Sequence, residues 1–445
     1  MRKHYLLLLI IPMITFSSCE TNEVIDNKRQ NEKIELEVSV RVNDQTTHNA
    51  IDKFNAKNKN IKLMIDDIPL YINKEYSEKL TADLMAGGGP DLFCDNTDIF
   101  PSIYKTIQNK TFYDLNKLIK KDKEFRLDDY YEEVLNCGVI DGKRYILPTN
   151  FDVHIFYGFD NILKSNNINI DNKNFSWEML SKISLQFINN NKGKYFFVPM
   201  DFQTIFESYG KSFVDYKSKK ANFNSDEFIN LLKNYRDIIP TICPPEYAMK
   251  YRGLYWGMVK DNALILLQTY STNPEFFWTE YNFGKNVLNS DIKIYPYPSS
   301  QHNGNYSAYV KKFTAISNKC KHPEEAFEFI KYVLSKEIQK DTVISSAPVN
   351  KEAYREIIAY YSSEEKRGKD IKNPADDKTY KSKAIPEDLA RILEDIPEKV
   401  NTCNFIDQSV LTIINDEMIN FLNGSKSAEQ TAKAINEKVL LFLNE

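Results

Sequence analysis

From Ile34 onward, Ile34, Leu36, Val38, Val40 and Val42 alternate with Glu35, Glu37, Ser39 and Arg41, a period of two that predicts a strand with one buried face. Asp44 offers an N-cap for a helix whose inner face carries Ile51 and Phe54, and Ile61 to Ile65 returns as a second strand. Tyr76, Leu80 and Leu84 recur every four residues, which predicts a helix from about Asn73 to Ala86. Gly87-Gly88-Gly89 stop it, because glycine takes the left-handed conformation at a helix C-terminus and Pro90 cannot continue the helix; Asp91 to Cys94 follows as a buried strand. The alternation predicts α/β architecture with a mainly parallel sheet. It resumes with strands at Lys143 to Leu147 and Val153 to Tyr157, a helix opened by Ser176-Trp177-Glu178, and a strand at Tyr195 to Val198. Later, Phe313 to Ile316 reads as a strand, and His322-Pro323-Glu324-Glu325 opens a helix through Ile338 with proline and acids in its first turn. After about Lys366 the pattern is mostly helical and ends in Ala428 to Leu443.

Composition narrows the function. A chain of 445 residues is too long for one ordinary domain. Its 42% hydrophobic and 27% charged residues are those of a globular protein. A net charge of -4 leaves no electrostatic footprint for nucleic acid, and only 14 glycines leave little room for Gly-rich phosphate loops. H-E-x-x-H, G-x-S-x-G, P-loop and dinucleotide patterns are absent, and His48, His154, His302 and His322 lack metal-ligand spacing, so neither a catalytic residue, a metal nor a cofactor is expected. Cys94, Cys137, Cys243, Cys320 and Cys403 are widely spaced and read as small buried hydrophobes rather than a disulfide framework.

The N-terminus carries an address. Arg2, Lys3 and His4 precede an apolar run from Tyr5 to Phe16, too short to span a bilayer, and Ser17-Ser18-Cys19 follows. Residues 1-18 read as a signal peptide. Phe16-Ser17-Ser18-Cys19 resembles the lipobox of bacterial lipoproteins, with Phe16 where Leu is usual, which implies that Cys19 becomes the lipid-bearing first residue. Residues 19-32 lack a hydrophobic period and read as a flexible tether.

In order along the chain, further segments resemble the bacterial extracellular solute-binding proteins of the sugar-binding, maltose-binding-protein-like type. They are Tyr76 and Leu80 through Leu84-Met85-Ala86-Gly87-Gly88-Gly89-Pro90-Asp91-Leu92-Phe93, then Asp141-Gly142-Lys143-Arg144-Tyr145-Ile146-Leu147-Pro148 with Ile155-Phe156-Tyr157, then Ser176-Trp177-Glu178. Gly257 to Leu264, Tyr295 to Pro298, Ala315-Ile316-Ser317 with His322 to Ile330, and Phe421 to Glu429 complete the series. Gly158 departs from it, standing where Asn is common. The resemblance implies a two-lobed α/β fold of the periplasmic-binding-protein type II, with a hinged interlobe cleft and a helical C-terminal region. Residues 33-149 plus 311-350 form lobe 1 on this reading, and 151-308 plus 352-445 form lobe 2. Crossovers fall near Thr149 to Asp152, Ala308 to Lys311 and Pro348 to Lys351. It also implies a monomer held on the extracytoplasmic face of the cell membrane by the Cys19 lipid, passing a mono- or oligosaccharide to the permease subunits of an ABC importer.

Ligands of open α/β sheets bind beyond the C-terminal strand ends. Polar candidates there are Asn43 and Asp44, and Asp95 and Asn96, since a carboxylate can accept from two neighbouring hydroxyls, and the pair Phe151 and Asp152 is a candidate by its place at the first crossover; Asp44 could equally be a plain helix cap. Sugars also present flat C–H faces, which makes Trp256, Tyr270, Trp278, Tyr306 and Tyr309 candidate platforms. With 27 Tyr and 27 Phe, however, many rings must serve the core. Two other classes remain open: a secreted glycoside hydrolase, which needs only two suitably spaced carboxylates, and a surface adhesion or scaffold lipoprotein without a small ligand.

Overall fold

The computed structural model describes residues 33–171, 175–249, 255–300, 304–341, 346–373 and 376–445. The segments expected to be a signal peptide (1-18) and a tether (19-32, with Cys19) lie outside the described residues.

The chain opens with β1 (Ile34–Arg41), α1 (Gln45–Lys57), β2 (Ile61–Ile68), α2 (Lys74–Met85) and β3 (Leu92–Asn96). Asp44 caps α1 by accepting from the Thr47 amide, and Asn73 caps α2 through the Tyr76 amide. At the end of α2, Gly87 and Gly89 have φ of 87° and 82°. A methyl at Gly89 would also lie 2.8 Å from Leu84 Cδ2, so the left-handed stop and the close return of the chain both need glycine here.

Further on come β4 (Leu147–Pro148), β5 (Asn150–Val153), β6 (Ile155–Phe159), α3 (Trp177–Asn190), β7 (Tyr195–Phe197), α4 (Asp226–Ile238), β8 (Leu264–Thr269), α5 (Pro274–Phe283) and β9 (Ile292–Pro296). The last third contributes β10 (Tyr306–Val310), β11 (Lys312–Ile316), α6 (Pro323–Leu334), β12 (Ala347–Pro348), β13 (Val400–Phe405), α7 (Gln408–Leu422) and α8 (Ala428–Asn444).

These strands make three principal sheets. The first has the order β2-β1-β3-β11-β4, and the second β9-β6-β8-β7. The third, β12-β5-β10-β13, assembles segments from four separate stretches of chain. The result is a two-lobed α/β fold.

The mainly parallel sheet expected from the alternation needs correction. β1 pairs in parallel with β2 and β3, but β11 runs antiparallel to both β3 and β4. In the second sheet only β7–β8 is parallel. The late strands arrive from the other lobe rather than through a local βαβ crossover, so nothing forces them into parallel register. Within the mostly helical C-terminal region there is also a hairpin, Asp370–Lys372 with Thr379–Lys381, and β13 itself. The helix expected through Ile338 breaks at Ser335, which is extended at ψ 151°, and restarts at Lys336.

The high aromatic content mostly fills the second lobe. Phe206, Phe213, Phe223 and Phe228 pack ring on ring, and α4 is covered by α8. Trp177 is buried against Phe156 and Tyr297. Where this lobe meets the third sheet, Gly210 has φ of 74°, and a methyl there would sit 2.1 Å from Ser307 Oγ on β10. Gly210→Ala is therefore expected to destabilise the protein by about 1–3 kcal/mol, the usual range for overpacking, read as a lowered urea midpoint at unchanged slope.

Candidate functional site

The C-terminal ends of β1 and β3 bring four sequence candidates together. Asn43, Asp44, Asp95 and Asn96 line one cavity of about 340 Å³ with Arg41, Thr149, Asn150, Lys312 and Ser346. Its polar groups are already tied to one another. Arg41 Nε donates to Asp95 Oδ1 at 3.1 Å, Nη1 to the Leu70 carbonyl at 3.2 Å, and Nη2 to Asp98. Lys312 Nζ donates to Asp44 and, at 2.7 Å, to Thr47 Oγ1.

Burial pushes Asp95 up to about 6 even though the Arg41 charge pulls the other way. Asp44 is held below the usual carboxylate range: burial works against its charge, but Lys312 and Thr47 more than offset it. Asp44 is thus both a helix cap and half of an ion pair. Two buried oxygens in this region have no partner, Asp95 Oδ2 and Thr149 Oγ1.

A second cavity, of about 610 Å³, opens on the other lobe. It is lined by His154, Tyr157, Val198, Pro199, Tyr255, Gln268, Tyr270, Ser271, Glu275 and Phe276 among others. Tyr270 follows β8 and is 49% exposed, an uncommon state for a ring in this aromatic-rich chain. Its backbone carbonyl accepts from the Val153 amide at 3.2 Å, which fixes it beside the end of β5.

Between the cavities lies the end of the third sheet. Asp152 faces Tyr309 across β5–β10, and Lys311 Nζ stands 3.9 Å from Asp152 Oδ2. The same ammonium is 5.3 Å from the Tyr270 ring centre and 5.1 Å from that of Tyr309. Asp152 accepts from Ser346, a residue lining the first cavity, and burial raises its pKa. Its Oδ1 has no partner. His154 stacks on Tyr309 at 4.8 Å and its Nε2 meets Glu207 at 3.3 Å. A polar cavity, a buried carboxylate, an ammonium and an exposed ring therefore follow one another across the two lobes.

Other candidates go elsewhere. Phe151 is 1% exposed and packs edge-on against Tyr131, and Tyr306 is buried in β10; both are corrected to core residues, because these strands are covered on both faces. Trp256 and Trp278 are corrected too. They line a separate cavity with Phe283, Asn286 and Tyr380, away from Tyr270. Trp256 stacks on Phe283 and donates Nε1 to both Glu280 oxygens at 3.0 and 2.9 Å, while Lys366 caps the Trp278 ring. Tyr309 is only 2% exposed, yet its ring backs His154 and Lys311.

Arg41, Lys311, Lys312, His154 and Ser346 carried no sequence signal as site residues. Only their positions, just before or after predicted strands or crossovers, could have suggested them.

Residues 49–368 match the family model of the bacterial extracellular solute-binding proteins. The chain belongs to that family. As its description states, these solute-binding proteins act outside the cytoplasm. A search of curated proteins gives no match.

Solved structures share the fold of this solute-binding protein. The sugar-binding protein MalE from the phytopathogen Xanthomonas citri is 13% identical with a TM-score of 0.66, covering 92% of this chain and 97% of that one. An ABC substrate-binding protein from Listeria monocytogenes in complex with cycloalternan is 15% identical with a TM-score of 0.61, over 93% of this chain and all of that one. A sugar transporter from Rhizobium etli in an open conformation is 16% identical with a TM-score of 0.62, covering 91% and 99%. Among the described residues, no helix is long and apolar enough to cross a membrane.

Proposed function

We propose that this protein captures a carbohydrate between the two cavities and delivers it to the permease subunits of an ABC importer, without chemistry on the ligand. The single observation that carries this reading is the half-exposed Tyr270 ring beside the Asp152–Lys311 pair, with a polar cavity lined by Asp44, Asp95 and Asn96 on the opposite lobe. The ring offers an apolar face to C–H groups, and the carboxylates offer acceptors to hydroxyls. Several structural relatives are sugar-binding proteins, one of them holding cycloalternan, which supports the same ligand class.

The division into 33-149 plus 311-350 and 151-308 plus 352-445 belongs to this proposal. Its three crossover segments lie on adjacent strands of the third sheet, a geometry suited to a hinge. Lipid attachment at Cys19 and a monomeric state complete it.

A thermal-shift screen over mono- and oligosaccharides tests the ligand class. At least one sugar is expected to raise the melting temperature in a concentration-dependent way, since binding to the native state alone stabilises it. The best sugar should then reduce the radius of gyration in small-angle scattering. A panel with no stabilising sugar, but with stabilisation by another solute class, would sink the carbohydrate reading.

A further inference from the structure

Two thiols left unused by ligand capture meet where the first lobe touches the third sheet. Cys137 is the C-cap of the short helix Glu132–Asn136, and Cys403 lies in β13, paired with Ala308 of β10. That helix packs on β13, which brings the two sulfhydryls close enough to act on each other electrostatically. Neither is in a disulfide, and both are half-buried, so small reagents have access. Neighbouring sulfurs on packed elements form a disulfide by closing to the bonding distance of about 2 Å.

We propose that Cys137 and Cys403 form a modification site, oxidised to a disulfide that staples the first lobe to the edge strand of the third sheet. The inference is independent of the ligand class. A protein acting outside the cytoplasm works where disulfides form and persist.

The reaction needs a disulfide oxidant, either oxidised glutathione or the disulfide form of an exported thiol oxidoreductase. The Cys403 thiolate attacks one oxidant sulfur, a first thiol leaves, and a mixed disulfide forms. The Cys137 thiolate then attacks Cys403 Sγ and displaces the second thiol. The S–S bond forms, and the two protons and two electrons of the protein thiols end on the two thiols released from the oxidant. Burial raises the Cys137 pKa well above its ordinary value, so this second step speeds up with rising pH. The bond joins positions far apart in sequence, which restricts the unfolded chain strongly.

The test uses the exported full-length protein purified without reductant. Thiols are alkylated in denaturant with and without prior reduction, and the peptides are mapped by mass spectrometry. The expected result is a linked peptide pair containing Cys137 and Cys403, two hydrogens lighter than the free peptides and lost on reduction. In Cys403→Ser, Cys137 should be alkylated without reduction. Reoxidation of the reduced wild type with oxidised glutathione should restore the bond and raise the melting temperature. Complete alkylation of both thiols without reduction, even after oxidised glutathione, overturns the proposal, as does a bond that forms without raising the melting temperature.

Discussion

Arg41→Ala is expected to destabilise the unliganded protein by about 3–5 kcal/mol, the range for breaking a buried ion pair from one side. Among the described residues the guanidinium is the only side chain bonded to Asp95, whose carboxylate is 1% exposed and has a second oxygen without a partner. Removing the cation leaves a buried carboxylate, an unpaired Leu70 carbonyl and a void below the strand end. The deficit should depend on pH. Asp95 already titrates near 6 in the folded wild type, above an ordinary aspartate, so the folded state binds the proton more tightly than the unfolded chain. Native stability from this group is therefore greatest at low pH and falls as pH rises from about 4 to about 6. Without Arg41 the folded pKa moves further up and this loss extends to higher pH. Urea unfolding at pH 5 and pH 7.5 checks it: the Arg41→Ala deficit should be larger at pH 7.5. Equal deficits at both pH values would mean that lost packing, not the stranded carboxylate, sets the cost.

Glu280→Gln is the second large effect, and it stabilises. Glu280 is 3% exposed and faces Trp256 Nε1 and the Tyr157 hydroxyl, and among the described residues no cation stands beside it. Burial pushes it up to about 8, only partly countered by the hydrogen bonds from Trp256 and Tyr157. The folded protein thus holds a proton that the unfolded chain releases near 4.5, so stability falls between about pH 4.5 and 8 and is flat from this group above that. The interval corresponds to roughly 5 kcal/mol at about 1.36 kcal/mol per pH unit. Glutamine does not titrate, and its amide can accept from the indole and donate to the phenol. Relative to wild type, Glu280→Gln should gain several kcal/mol between pH 5 and pH 8.5 in denaturant unfolding. Parallel pH profiles for the two proteins would remove Glu280 as the titrating group.

Much of the fold was legible because it is written in local periods and breakers. The helix from Lys74 to Met85 begins at Asn73 and stops before Gly87, as its apolar spacing and glycines require. The site was less legible. In β1 the alternation of Ser39 and Arg41 with valines reads as one buried and one wet face, yet both polar residues are buried, because the strand end is covered on both sides. Arg41 therefore looked like a surface residue while serving as the partner of Asp95. Trp256 and Trp278 misled in the other direction. Nothing local distinguishes an indole that stacks on Phe283 from one that meets a ligand, since the distinction is made by residues far along the chain, such as Lys366 and Glu280. Tyr270 could be singled out only because it directly follows a buried apolar strand.

The central claim is that a sugar is held across the two cavities with Tyr270 as its platform, and calorimetric titration of the best-stabilising sugar into wild type and Tyr270→Ala tests it most directly. The account predicts a loss of about 1–3 kcal/mol in binding free energy from the missing apolar contact. The apo melting temperature should stay nearly unchanged, because a ring that is 49% exposed supports little core. A Tyr270→Ala variant that binds the sugar as tightly as wild type while melting markedly lower would contradict the account and return Tyr270 to the core.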